Sequence, residues 1–133
     1  MANAAISWTS RRQKTVALSS TEAEYMSMSD ASRQLSWLRN FSSELGQDVT
    51  GPTPMCADNQ GTIFLAVNPA HDRRTKHIDI RYHFIREFIE EGNATLYHVG
   101  TNEMVTDILT KSLPYDKHAY FREKMGLVAP RVV

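Results

Sequence analysis

One long helical stripe, stopped by glycine and followed by short strands, constrains this chain to an alternating α/β layer. Thr21 and Glu24 stand three residues apart, as in a capping box. Ala31, Leu35, Leu38 and Leu45 continue an apolar stripe at helical spacing until Gly46 ends it. Gly51-Pro52-Thr53-Pro54 then breaks the chain. Met55-Cys56-Ala57 reads as a brief apolar strand, and Asp58-Asn59 starts a helix through Val67 that ends before Asn68-Pro69. Ile78, Tyr82, Ile85 and Ile89 recur at helical spacing up to Gly92-Asn93, after which the period changes to two in Ala94-Thr95-Leu96-Tyr97-His98-Val99. A short helix carries Val105, Asp107, Ile108 and Leu109, and a last one follows Leu113-Pro114 and runs to about Met125. With Ile6-Ser7-Trp8 as a first strand, the order is strand, helix, strand, helix, helix, strand, helix, helix. That is an α/β pattern.

A chain of 133 residues with 41% hydrophobic content is long enough to bury a core, and it shows no repeat, so one domain over 1–133 is expected. Fifteen basic residues balance fifteen acidic ones. No overall field therefore draws the chain to nucleic acid, and any such contact must come from local clusters. Cys56 is the single cysteine, which excludes an internal disulfide and a cysteine zinc cage. His77 and His83 are six apart and do not make a zinc pair. The longest apolar run, Ile63 to Val67, is too short for a membrane span, and Met1 to Ala5 lack the parts of a secretion signal. The chain reads as intracellular, in cytoplasm or nucleus, with no membrane partner.

Three acids carry the candidate chemistry. Stepping by four and three from Glu24 gives Met28, Ala31, Leu35 and Leu38, so Glu24 is expected to point inward, while Glu22 leads to Met26, Ser29 and Arg33. An inward carboxylate needs a charged or hydrogen-bonded partner, which a metal ion supplies; the other reading is that Glu24 returns to cap Thr21. Asp58 is either a helix cap or an acid placed outside the carboxyl end of a strand, where open α/β sheets hold ligands. Asp107 sits near a helix N-terminus, which alone can account for an acid there. Arg73, Arg74, Lys76, His77 and Arg81 straddle a loop and a helix start, either as a phosphate-binding cluster or as a solvated loop neutralised by Asp72 and Asp79. Trp8 and Trp37 are expected as core and interface anchors, with Tyr25, Tyr82 and Tyr97 in the same packing.

Four segments taken in order, Ser19-Ser20-Thr21-Glu22-Ala23-Glu24-Tyr25, Ala57-Asp58-Asn59-Gln60, Arg73 to Glu87, and Thr106-Asp107-Ile108-Leu109-Thr110-Lys111, closely resemble the RNase H domain that ends the polyprotein of copia-type retrotransposons. The resemblance runs from about Ile6 to about Leu127. It implies an RNase H-like fold, a central mixed sheet with flanking helices. Such domains hydrolyse the RNA strand of an RNA–DNA hybrid with four acids and two magnesium (or manganese) ions. Glu24, Asp58 and Asp107 match three of the acids as catalytic residues and metal ligands, and the basic cluster matches the nucleic-acid contact. In the family, a strand bearing the first aspartate and a second strand paired with it precede this point, so the resemblance implies a domain truncated at its N-terminus and inactive as given.

Three functions follow from that reading. The chain is a fragment of a nuclease domain, a noncatalytic nucleic-acid-binding remnant, or a repurposed protein that acts through protein interaction. Deprived of a central partner, Ile6-Ser7-Trp8 and Met55-Cys56-Ala57 leave strand edges open, so a homodimer through sheet edges is expected.

Overall fold

A computed structural model describes the backbone of residues 4–68 and 76–127, and the side chains of these residues except 76–79 and 82. Four α-helices, one 3-10 helix and two strands follow in the order α1 (Ser20–Glu44), β1 (Thr53–Ala57), α2 (Gln60–Val67), α3 (Lys76–Glu90), β2 (Ala94–His98), the 3-10 helix (Val105–Leu109) and α4 (Tyr115–Lys124). The α/β class is observed. Their contacts divide into two compact units, one of Met1–Lys14 with Thr101–Val133 and the other of Thr15–Gly100. The sequence, read as one domain over 1–133, gave no mark of that partition.

In the larger unit, α1 starts and stops on local chemistry. Ser19 is the N-cap, its Oγ accepting from the Glu22 amide at 3.1 Å, and the Glu22 carboxylate accepts from the Leu18 amide at 2.7 Å. This is a variant of the capping box built on Ser19 and Glu22, with the return bond on the amide before the cap, two residues earlier than the expected pair of Thr21 and Glu24. At the other end Gly46, at a φ of 74°, donates to Ser43 O while Gln47 donates to Ser42 O. Glycine takes that left-handed turn without the steric cost a Cβ brings. So Gly46 ends the helix as its sequence position indicated.

The buried side of α1 is Tyr25, Met26, Met28, Ser29 and Ser32. That stripe is rotated by about one residue, roughly 100°, from the one traced through Met28, Ala31 and Leu35. Ala31 is exposed. The physical reason is that small serines occupy the closest approach, Ser32 Oγ satisfying itself on Met28 O at 2.9 Å, and serine weighs little in a hydrophobic count. Tyr25, Met28, Ala66 and Ile85 form the core cluster, with Met55, Ala57, Leu65, Phe84, Ile89 and Leu96 packed around it.

The sheet is smaller than expected and wholly parallel. β1 pairs β2 in the register Thr53↔Ala94 to Ala57↔His98, and these are its two strands among the described residues. Met55 and Ala57 face the core while Pro54 and Cys56 are exposed, the alternation of a half-covered strand. A central mixed sheet is not what the described residues form. Ile6-Ser7-Trp8 is not a strand either: the segment pairs with no strand and leaves Ile6 64% and Trp8 67% exposed. A strand needs a ladder partner for its amides and carbonyls, and apolar alternation alone does not supply one. Trp37 is likewise no core anchor. It lies 57% exposed on α1, stacked on Phe41 with ring centroids 5.3 Å apart.

In the smaller unit, Phe121 of α4 is fully buried and the Ala5 amide donates to Met125 O at 3.0 Å. That bond fastens the extended N-terminal segment to the end of α4. The helix around Asp107 forms, but as a single 3-10 stretch, with Thr110 N donating to Asp107 O at 3.1 Å.

Candidate functional site

Parallel strands deliver their carboxyl ends to the same side of a sheet, and β1 ends there at Ala57, directly before Asp58. The register places His98 opposite Ala57, and Val99 N donates to Ala57 O at 2.9 Å. Asp58 is half-buried. It is not the helix cap, because Asn59 takes that role with its Oδ1 accepting from the Thr62 amide at 3.1 Å. Among the described residues the Asp58 carboxylate has no hydrogen-bonded or ionic partner.

The first turns of α1 and α2 meet beside this point. Thr62, fully buried, donates through Oγ1 to Thr21 O at 3.3 Å. Gly61 faces the same turn so closely that a Cβ there would lie 3.4 Å from the Thr21 side chain and 3.1 Å from Asn59 Oδ1. Glu24 stands three residues beyond Thr21, one turn along α1. Thus Glu24 and Asp58 belong to adjoining helix starts at the carboxyl end of the sheet, and neither makes the cap of its helix. Helix N-termini carry partial positive charge, which favours carboxylates in both places.

The expectation that Glu24 points inward is corrected: the residue is exposed. The rotation of α1 that buries Tyr25 and Ser29 carries Glu24 to the edge of the packed face, and Glu22, expected outside, is the half-buried acid that closes the cap. Asp107 lies in the smaller unit. It is 8% exposed, unlike the surface acid that its helix position alone would produce, and its Oδ2 accepts from Lys111 Nζ at 2.9 Å. That pair is an i,i+4 neighbour contact within Asp107-Ile108-Leu109-Thr110-Lys111, so the motif's own lysine meets the charge of its aspartate.

Of the expected basic cluster, Arg73 and Arg74 lie outside the described residues, as do the side chains of Lys76 and His77. Arg81 is half-buried on α3. A groove of about 370 Å³ runs elsewhere, between the later turns of α1 and α3, lined by Ser36, Arg39, Asn40, Glu87 and Asn93 among others. Arg39 is spent there on structure, donating to Gly51 O at 2.8 Å and Thr53 Oγ1 at 2.9 Å.

A magnesium or manganese pair needs several convergent oxygen donors. Among the described residues no three acidic, histidine or cysteine side chains gather closely enough to hold a metal ion. The residues present therefore do not fit a complete two-metal centre. The structure bears out the strand before Asp58, and the parallel register, which sequence spacing does not reveal, brings His98 to the same sheet end.

Comparison with known proteins gives the origin of the chain. It is 42% identical over 123 residues to the retrovirus-related Pol polyprotein from transposon TNT 1-94 of Nicotiana tabacum, a match that covers 92% of this chain and 9% of that protein. It is 41% identical over 122 residues to the retrovirus-related Pol polyprotein from transposon RE1 of Arabidopsis thaliana, covering 92% of this chain and 8% of that protein. The polyprotein from transposon RE2 of the same plant is 40% identical over 123 residues. No family model and no solved structure matches the chain. The chain spans less than a tenth of the length of these relatives, and it is homologous to that short segment of retrovirus-related Pol polyproteins from transposons, a retrotransposon polyprotein in origin.

Proposed function

We propose that this segment is the RNase H-like part of a copia-type Pol polyprotein, which in its parent hydrolyses the RNA strand of RNA–DNA hybrids inside the cell. The observation that carries the reading is the meeting of the α1 and α2 starts, tied by Thr62 to Thr21, beside which Glu24 and Asp58 stand. Two carboxylates at adjoining helix starts, beside the carboxyl ends of parallel strands, are the arrangement expected of a hydrolytic metal centre in part. Asp107 is the third acid of the proposed set.

The 133 residues alone are proposed to be inactive, since Glu24, Asp58 and Asp107 match only three of the four acids that the resemblance implies. Labelled RNA–DNA hybrid with magnesium or manganese tests this. The isolated chain should leave the hybrid intact, whereas a longer stretch of the parent polyprotein should cut it and lose the activity in Glu24→Gln and in Asp58→Asn. Cutting that survives both substitutions would sink the assignment. A second reading, a noncatalytic remnant that binds nucleic acid or protein, is favoured by one observation, the Lys111 ammonium that already occupies Asp107.

A further inference from the structure

Net neutrality conceals a division of charge between the two units. Met1–Lys14 with Thr101–Val133 holds eight Lys and Arg against four Asp and Glu, while Thr15–Gly100 holds seven against eleven. Within the smaller unit Asp107 and Lys111 neutralise each other and leave its excess of cations unchanged. In the larger unit Arg39 donates to backbone carbonyls and Arg33 lies over the Phe84 ring at 5.8 Å.

Cations of the smaller unit lie among exposed aromatic rings. On α4, Lys117, Tyr120 and Lys124 fall on one flank of the buried Phe121, and Arg122 and Tyr115 fall on the other. Lys124 Nζ stands 5.5 Å from the Tyr120 ring centre, and Tyr120 and Tyr115 are 51% and 84% exposed. Lys117 Nζ is held at 5.4 Å from the Phe121 ring and donates to Asn102 Oδ1 at 3.3 Å. The acids Asp116 and Glu123 lie between those two flanks, on the side of the helix away from Phe121. The segment fastened to the end of α4 by the Ala5 amide supplies Arg12 and Lys14, both exposed, with Trp8 67% exposed just before them.

We propose that the smaller unit is a nucleic-acid interface, with Arg12, Lys14, Lys117 and Lys124 on backbone phosphates and with Tyr120 and Trp8 against sugar faces. Phosphate is the occupant that matches an excess of cations, since each lysine or arginine placed on a phosphate releases condensed counterions. The interface uses none of the residues of the basic cluster at Arg73 to Arg81 and does not rest on the RNase H reading, because it needs no cleavage chemistry.

The test is fluorescence anisotropy of the full chain with a labelled 20-base-pair DNA duplex and an RNA–DNA hybrid of the same sequence, about 20 base pairs sufficing to hold several contacts. Both should bind at low salt with a steep salt dependence. The fourfold variant Arg12→Gln, Lys14→Gln, Lys117→Gln, Lys124→Gln should bind at least about tenfold more weakly, with a salt slope shallower by about 3–4. Its circular dichroism and melting midpoint are measured alongside. If it does not fold, the single variants Arg12→Gln and Lys124→Gln decide, each expected to flatten the slope by about 1. Unchanged binding in the variants, no binding by the wild type, or loss confined to Arg33→Gln and Arg81→Gln overturns the proposal. Equal affinity for polyglutamate also overturns it, in favour of an acidic protein partner. Equal binding of both duplexes supports the interface while giving no support to a hybrid-specific function, so the two readings fail separately.

Discussion

The Thr62 hydroxyl donates to the Thr21 carbonyl oxygen at 3.3 Å and so ties the first turn of α2 to the first turn of α1. Thr62 has no exposed surface, so this bond forms away from water. Thr62→Val keeps the shape and removes the donor, and should cost about 1 kcal/mol in denaturant titration. Gly61→Ala tests the same contact from the other side. In an open helix alanine gains about 1 kcal/mol over glycine. Here the added carbon meets Asn59 Oδ1 at 3.1 Å, and that oxygen cannot retreat without loosening the α2 cap. A net loss of stability is expected, and a gain would show that the two turns are not in close contact.

The caps separate structural acids from candidate functional ones. Ser19→Ala should cost about 1 kcal/mol, as the loss of an N-cap does. Glu22→Gln should cost part of that, since its carboxylate holds the Leu18 amide at 2.7 Å. The two thermal midpoints, measured together, check the order; Glu22→Gln as the more damaging of the two would make the carboxylate, not the serine hydroxyl, the main cap of α1.

Legibility in the sequence followed the range of the interaction. Gly46 and Gly92 were readable because a left-handed turn at a helix end is a local demand, met at φ values of 74° and 75°. Asp58 was readable because the strand before it and the helix after it are both short and local. The α1 phase was not, since Ser29 and Ser32 are buried for closeness of packing and carry no hydrophobic signal. Nor was the fate of Ile6-Ser7-Trp8, whose strand character depends on a partner that no nearby residue provides. The pairing of Thr53–Ala57 with Ala94–His98 joins segments some forty residues apart, and only that pairing shows His98 beside the end of β1.

Asp107 and Lys111 give a third prediction. The Asp107 side chain is 11% exposed and the Lys111 side chain 50%. Removing the lysine leaves a nearly buried carboxylate without its cation, while removing the acid leaves a lysine that can turn to water. Lys111→Met should therefore destabilise more than Asp107→Asn, by about 1–2 kcal/mol once the exposure of the ammonium is discounted. Equal losses in urea titrations would mean that the pair contributes through packing and not through charge.

Asp48 carries the pH prediction. Its carboxylate accepts from the Thr50 amide at 3.0 Å and the Thr50 hydroxyl at 2.7 Å, and these bonds, the amide first, hold its pKa below the ordinary 3.8. A lowered folded-state value means that its contribution to stability is present in full above the unfolded pKa and is lost as pH falls through the lower folded one. Carbon-detected NMR should give a midpoint below 3.8. Thr50→Ala should move it part of the way back, since the amide donor remains.

Self-association is expected through β2 and not through β1. Thr53 N donates to Asn93 O and Val99 N donates to Ala57 O, so Thr53, Met55 and Ala57 turn their backbone groups toward β2. The outer edge of β1 is then left to Pro54 and Cys56, and Pro54 has no amide to give. On β2 the alternation turns Leu96 and His98 outward, each with both a donor and an acceptor. A second copy paired along that edge would satisfy them. Sedimentation at tens of micromolar should show dimer, and His98→Pro, which removes one outer donor at the strand end, should shift it toward monomer while α1 to α4 keep their helical signal. The strand is five residues long, so the edge bonds alone make a weak contact. A monomer throughout that range, with wild type and variant alike, would rule out the edge as an interface.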